Sequence, residues 1–142
     1  MVVDLGKTHG LLGELFRLPA SPDEWLKYAL SEDQVRHFED QGFLHGVALL
    51  DEAQIDALSD QLEEMVDPSH DGREHFYEYH SNESESPDGV LFHALGAWRV
   101  RPAFHDLLWN PAFLMAAYQL LGVDFRLFHD QLFSKPAKHG GV

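Results

Sequence analysis

The sequence predicts an α+β fold in which helices alternate with short strands. Two segments have the form of a helix capping box, Ser31 to Gln34 and Asp51 to Gln54, and each precedes apolar residues at helical spacing. Residues 43–50 and 124–134 read instead as strands, whose successive side chains fall on opposite faces. The composition, 44% hydrophobic and 24% charged, is that of a folded globular protein and excludes collagen-like and disordered chains.

The predicted helices begin and end at residues suited to those positions. A capping side chain followed by proline starts the first and last helices, and a glycine ends the second and the last. The helices are predicted over residues 23–30, with Ser21 as the cap and Pro22 at the first helical position; from the Ser31 cap to Gly42; over 52–66, ending before Pro68; over 100–108, as one or two turns; and from Asn110 and Pro111 to Gly122. We expect two buried stripes, Ile55, Leu58, Leu62, Met65 and Val66, and Phe113, Leu114, Ala117, Leu120 and Leu121.

Strands are predicted over residues 43–50, 89–93 and 124–134. The first has apolar residues on both faces, which suggests a strand that is covered on both sides. The last places His129 and Gln131 on a face that is otherwise apolar. Because polar groups need partners when they are buried, this face is either a core with satisfied polar residues or part of a binding site.

A polar segment, residues 67–88, is predicted to be a loop, and its length is typical of a functional or disordered connection. We interpret it as a mobile flap over a substrate entrance, with Tyr77 and Tyr79 as substrate-binding residues. The alternative is a metal site formed by Glu74, His75, Glu78 and His80. Ten histidines in an acidic chain often fall near carboxylates by chance, so we expect no metal ligand here.

The charge balance bears on partners and location. Ten Lys and Arg against 24 Asp and Glu leave a net charge of -14, which repels nucleic acid and anionic membranes. There are no cysteines, in keeping with a reducing compartment. The chain begins without the features of a secretory signal and has no run of roughly 18 apolar residues. We therefore expect a cytoplasmic protein whose partner is a small molecule.

The order of elements and four short motifs resemble one known family. The motifs are Gln41-Gly42-Phe43-Leu44, Leu50-Asp51, Pro111 at a helix start, and Phe128-His129-Asp130-Gln131-Leu132-Phe133-Ser134-Lys135-Pro136. Over about residues 31–142 the chain resembles the N-terminal part of phytanoyl-CoA dioxygenase family proteins, and residues 1–30 form a lead-in. The resemblance implies the N-terminal helices and first strands of a double-stranded β-helix, or jelly roll. It also implies a non-haem Fe(II), 2-oxoglutarate-dependent dioxygenase that hydroxylates a small or lipid-like substrate.

The resemblance further implies cofactor-binding residues. Gln131 matches a position that contacts 2-oxoglutarate, and His93 falls where the family has a lysine contact. Lys135 could meet an anionic group by charge. Such enzymes hold iron through two histidines and one carboxylate, of which the first two come as His-x-Asp or His-x-Glu on a strand.

The only pair with that spacing, His37 and Glu39, falls in a predicted helix, where the two side chains point about 200° apart. The adjacent pairs His105-Asp106 and His129-Asp130 do not supply it either. We expect the iron ligands to follow residue 142, so that Fe(II) and 2-oxoglutarate belong to the complete protein. This chain, with no catalytic residue of its own, is then expected to bind neither stoichiometrically. The alternative is a non-catalytic, jelly-roll-derived interaction or assembly protein that associates through unpaired strands.

Overall fold

The structure, a computed structural model, describes residues 2–84 and 91–137 and confirms the α+β class. Its strands form one small antiparallel sheet, and four of its helices have six residues or more. The helices are α1 (Pro22–Trp25), α2 (Glu32–Gln41), α3 (Glu52–Val66), α4 (Pro102–Leu107) and α5 (Pro111–Leu121). The strands are β1 (Glu78–His80), β2 (Phe92–Leu95) and β3 (Gln131–Ser134), with β2 in the centre of the order β1-β2-β3.

Both predicted capping boxes are confirmed. The Ser31 hydroxyl accepts a hydrogen bond from Gln34 N at 3.2 Å, and the Gln34 side chain accepts one from Ser31 N at 2.9 Å. Asp51 and Gln54 repeat the arrangement at the start of α3. Gly42 follows α2 with a φ of 78°, a left-handed conformation that glycine adopts at little cost.

The first and last helices also begin as predicted. Ser21 caps α1, although α1 gives way after Trp25 to a 3-10 turn over Leu26–Tyr28. The Asn110 side chain accepts hydrogen bonds from the two amides at the start of α5, and its own amide donates to Leu49 O at 2.6 Å. The cap therefore also fixes the chain that precedes α3 against α5.

The predicted apolar stripes are confirmed only where a neighbouring element covers them. Met65 is fully buried in the core, and Leu62 and Val66 pack against it. Ile55, Phe113 and Leu121 are exposed, contrary to the prediction. Helical periodicity shows which residues share a face of a helix, but it cannot show how much of that face a neighbouring element covers.

Three predictions about extended segments were wrong. Residues 43–50 form no strand, because Gly46 has a φ of 75° that interrupts the extended backbone and no ladder partner lies beside them in the described ranges. Of residues 124–134 only the last four, β3, pair with another strand. The supposed loop 67–88 contains a 3-10 turn, Arg73–His75, and strand β1. Its residues 85–88, and residues 89–90 of the second predicted strand, lie outside the described residues.

The core lies where the sheet meets α3 and the segment before α4. Its buried members are Met65, Phe76, Phe92, Ala94, Ala97 and Val100. The N-terminal segment is fastened to this body by ion pairs and hydrogen bonds. Arg99 binds both carboxylate oxygens of Asp4, at 3.1 and 2.6 Å, and buried Asp106 accepts hydrogen bonds from Leu12 N and Gly13 N. Within the described ranges no helix combines the length and the apolar character that a membrane crossing requires.

Candidate functional site

The strongest grouping of chemically active side chains lies on β1, β2 and the chain that joins them. Glu78 and His80 are two residues apart on β1, so the strand directs both side chains to one face. The antiparallel register sets His93 of β2 directly opposite His80. Glu83 follows β1, and its N–H donates to Leu91 O at 2.8 Å, which holds its backbone beside the start of β2. We call Glu78, His80, Glu83 and His93 the His–Glu cluster.

The ligand atoms of the His–Glu cluster lie within 4.8 Å of one another. The Nε2 atom of His80 is 2.7 Å from a carboxylate oxygen of Glu78. The Nδ1 atom of His93 is likewise 2.7 Å from an oxygen of Glu83. Two carboxylates and two imidazoles therefore converge on one small volume, a donor set that attracts cations.

His93 is the buried member of the cluster, with only 5% of its surface exposed. Its Nε2 lies 3.0 Å from the side-chain nitrogen of Gln131, which donates to it when the ring proton is on Nδ1. Its Nδ1 is buried and lies 2.7 Å from a Glu83 oxygen, a contact that does not meet the geometry of a hydrogen bond. One ring nitrogen is thus held by the sheet and the other faces the cluster.

Stacked rings fix the orientation of His93. The His93 and Phe133 rings, which the β2–β3 register places opposite each other, lie 4.3 Å apart and 10° from parallel. The His80 ring stacks on the other side of His93 at 5.7 Å and 13°. Because cross-strand pairs from both neighbours restrain the imidazole, its two nitrogens have little freedom to turn.

The structure brings together two of the three residues predicted to bind the co-substrate. His93 and Gln131 are in direct contact across β2 and β3. Lys135 follows β3 and is exposed, with no ion pair to any described residue. The roles of these three residues in cofactor binding stay predictions.

The two predicted substrate-binding tyrosines have different surroundings. Tyr77 is 61% exposed, with the Arg99 guanidinium 4.6 Å from its ring centre. The Tyr79 ring packs against Phe92, and its hydroxyl donates to Met65 O at 3.0 Å. Burial of the ring raises the pKa of this hydroxyl above its ordinary value. Tyr79 therefore serves the core, and a substrate contact by either tyrosine stays a prediction.

The four residues of the alternative metal site suggested by the sequence do not lie together in the structure. Glu78 and His80 join the His–Glu cluster, but His75 lies 3.0 Å from Val2 O through its Nε2 and Glu74 is exposed. Sequence analysis missed Glu83 and the pairing with His93. The available signal was Glu78-Tyr79-His80, a carboxylate and a histidine at strand spacing, which indicates a shared face only once β1 is known to be a strand.

The other histidine–carboxylate pairs have structural surroundings. His37 and Glu39 lie on α2, and the His37 ring packs edge-on against Phe43 at 5.1 Å. Asp106 holds the N-terminal segment. Asp130 accepts hydrogen bonds from Gly96 N and Trp98 N, at 2.7 and 3.1 Å, and so fastens the turn after β2. Among the described residues, none of these pairs belongs to a group of three or more potential metal ligands.

The structure also has an apolar groove of about 590 Å³, which shares no lining residue with the His–Glu cluster. It is formed by Pro22, Trp25, Leu26, Leu114, Met115, Tyr118 and Phe125. The lining includes no residue of the His–Glu cluster and no predicted cofactor-binding residue.

No protein-family model matches this sequence, and no curated protein matches it. The resemblance to the phytanoyl-CoA dioxygenase family therefore stays a prediction, and the functional argument proceeds from the geometry of the site.

Proposed function

We propose that this chain is part of a non-haem, 2-oxoglutarate-dependent oxygenase related to the phytanoyl-CoA dioxygenase family. Its share of the reaction is to supply the inner wall that receives the dicarboxylate co-substrate. The complete enzyme would hydroxylate a small or lipid-like molecule. This proposal joins the sequence resemblance to one contact in the fold.

The observation that carries the proposal is the contact of His93 with Gln131. Sequence resemblance named these two residues as co-substrate contacts, although 37 positions lie between them. The β2–β3 pairing places their side chains 3.0 Å apart. An amide N–H and an imidazole N–H are suitable donors to a carboxylate, and a strand pair holds them more rigidly than a loop would.

The charges nearby determine which side of His93 an anion could approach. Glu83 lies 2.7 Å from Nδ1, and a carboxylate ligand there would meet like charge. The Gln131 side offers an uncharged amide donor, and Lys135 follows the far end of β3. In this proposal the dicarboxylate therefore binds on the Gln131 side, away from the glutamates.

The His-x-Asp or His-x-Glu pair through which such an enzyme holds iron has no fitting counterpart among the described residues. The one His-x-Glu spacing lies on α2, where His37 is packed against Phe43 rather than presented with Glu39. In the proposal the iron would activate oxygen from ligands outside this chain, and we derive no step through it.

Exposed apolar residues support the expected jelly roll. β3 is an edge of the sheet as described, and Phe133 on it is 54% exposed, while Phe128 just before it is 91% exposed. In a jelly roll, further strands would cover such a surface. The same residues also favour the second candidate, a non-catalytic assembly protein, because an open apolar edge can pair with another chain.

The oxygenase and the assembly protein differ in the residues that a complete reading frame would encode and in the activity of its product. The oxygenase proposal expects a His-x-Asp or His-x-Glu pair soon after residue 142 and oxygen uptake that depends on 2-oxoglutarate. In that complete protein, Gln131→Leu should raise the KM for 2-oxoglutarate at least about tenfold, the equivalent of roughly 1.4 kcal/mol. The matched control is Gln41→Leu, an exposed glutamine at the end of α2, which should leave KM unchanged.

Two results would count against parts of this proposal. One is a complete reading frame that lacks the paired ligands, which would favour the assembly protein. The other is an unchanged KM in Gln131→Leu, which would remove the co-substrate role of β3 even if the protein is an oxygenase.

A further inference from the structure

The His–Glu cluster carries an inference that does not rest on the proposed oxygenase function. We propose that it binds one divalent first-row transition-metal ion, with Zn²⁺ as the ion that its donors fit best. The site joins strand β1, strand β2 and the chain between them. It is separate from the iron centre expected for the family, since none of its residues has the His-x-Asp or His-x-Glu spacing.

The donor types select the class of metal. Two imidazole nitrogens and two carboxylate oxygens form a four-donor set of the kind that zinc takes in tetrahedral sites. Calcium and magnesium prefer oxygen ligands throughout and would gain little from the imidazoles. The chain has no cysteine, so thiolate sites are excluded and histidine is its best transition-metal ligand.

The distances allow the site to close by side-chain movement alone. Metal–ligand bonds of about 2.1 Å in a tetrahedron place ligand atoms roughly 3.4 Å apart. The cluster atoms lie within 4.8 Å of one another, and two pairs are closer, at 2.7 Å. The close pairs must separate slightly and the distant ones must approach. Glu78, His80 and Glu83 are each partly exposed, so their side chains can make that adjustment.

The buried nitrogen of His93 is the second observation that points to a ligand. Nδ1 is buried, makes no hydrogen bond of acceptable geometry and lies 2.7 Å from a Glu83 oxygen, on the side of the cluster. A buried polar atom without a hydrogen bond is costly, and a metal bond would satisfy it. Metal-bound histidine normally donates its other ring N–H to a neighbouring acceptor, and the Gln131 carboxamide is in place to accept it once its oxygen is turned inward.

The charges favour occupancy by a cation. Glu78 and Glu83 place two negative charges around two imidazoles in a chain whose net charge is -14. A divalent ion would neutralise both carboxylates. It would also tie Glu83 to the sheet, adding to the Glu83 N–H bond to Leu91 O. The expected consequence is a firmer connection between β1 and β2.

Titration calorimetry of the full chain with zinc chloride, after treatment with a chelator, tests the site. We expect one equivalent of Zn²⁺ to bind, and both His80→Ala and Glu83→Gln to weaken the binding at least about tenfold. The matched controls are His9→Ala and Glu14→Gln, which alter exposed residues of the same types outside the cluster. Both controls should bind as the unaltered chain does.

Cobalt substitution gives a readout that does not depend on affinity. Co²⁺ bound by four nitrogen and oxygen donors in a tetrahedron should show strong visible absorption, and His80→Ala should change that spectrum. Circular dichroism of each variant confirms that the fold is retained, which is expected because His80 and Glu83 are not core residues. The proposal is overturned if zinc does not bind saturably at micromolar concentrations, or if it binds equally well to His80→Ala and Glu83→Gln.

Discussion

Replacement of Asp106 by alanine should destabilise the fold more than any other change to a single carboxylate that we consider. Asp106 is 1% exposed. Its two oxygens accept hydrogen bonds from Leu12 N and Gly13 N, both at 2.8 Å, and His105 Nδ1 lies 3.0 Å from one of them. The carboxylate links α4 to the N-terminal segment, beside the 3.2 Å contact of His105 Nε2 with Thr8 O.

The expected loss follows from those contacts. A hydrogen bond to a charged group contributes about 1.5–3 kcal/mol, so the two backbone bonds together contribute roughly 3–6 kcal/mol. Leu12 is 40% exposed, so its amide can regain water if the segment lifts away, and the lower half of the range applies. We expect about 3–4 kcal/mol from Asp106→Ala, a large share of the roughly 5–15 kcal/mol that stabilises a typical domain.

Urea unfolding followed by tryptophan fluorescence measures this loss. Asp106→Asn keeps one acceptor oxygen and should lose about half as much free energy. Asp124→Ala, at an exposed carboxylate, is the control and should stay within about 0.5 kcal/mol of the unaltered chain. Hydrogen exchange should show faster exchange at Leu12 and Gly13 in Asp106→Ala. A loss below about 1 kcal/mol, with those amides still protected, would refute the structural role of the carboxylate.

Two further predictions concern acid stability and association. The bidentate contact with Arg99 lowers the pKa of Asp4 below its ordinary value, so the stability that Asp4 contributes is complete above about pH 5 and declines as pH falls through the lowered value. The difference in unfolding free energy between the unaltered chain and Asp4→Asn should therefore shrink between about pH 5 and pH 2, and a difference that stays constant would contradict the ion pair. At the open edge of the sheet, Phe128→Ser should reduce concentration-dependent association in light scattering, whereas Val3→Ser, which alters another highly exposed apolar residue, should not. Equal association of both variants would show that the edge is not the contact surface.

Local sequence signals predicted the helices well. Ser31 with Gln34, Asp51 with Gln54, and Asn110 with Pro111 each mark a helix start through bonds between residues that are close in the chain. Such bonds depend little on the rest of the fold, and the structure shows each of them.

The strands were predicted poorly because a strand is completed by its partner. Residues 43–50 have an apolar pattern but no ladder, whereas β1 lies within a polar segment and pairs with β2. The cofactor-binding roles of His93, Gln131 and Lys135 came from resemblance alone. What the sequence could not show was that His93 would be buried between His80 and Phe133.

By itself, then, the sequence determined the α+β class, the capped starts of the helices and the acidic, cysteine-free composition of the chain. Only the tertiary structure decided which of ten histidines act together. Helix caps are contacts across three or four residues, which the order of residues specifies directly. The His–Glu cluster depends on the register that pairs His80 with His93, thirteen residues apart, and on the position of Glu83, whose N–H donates to Leu91 O. Register is a contact between strands, which local spacing does not specify.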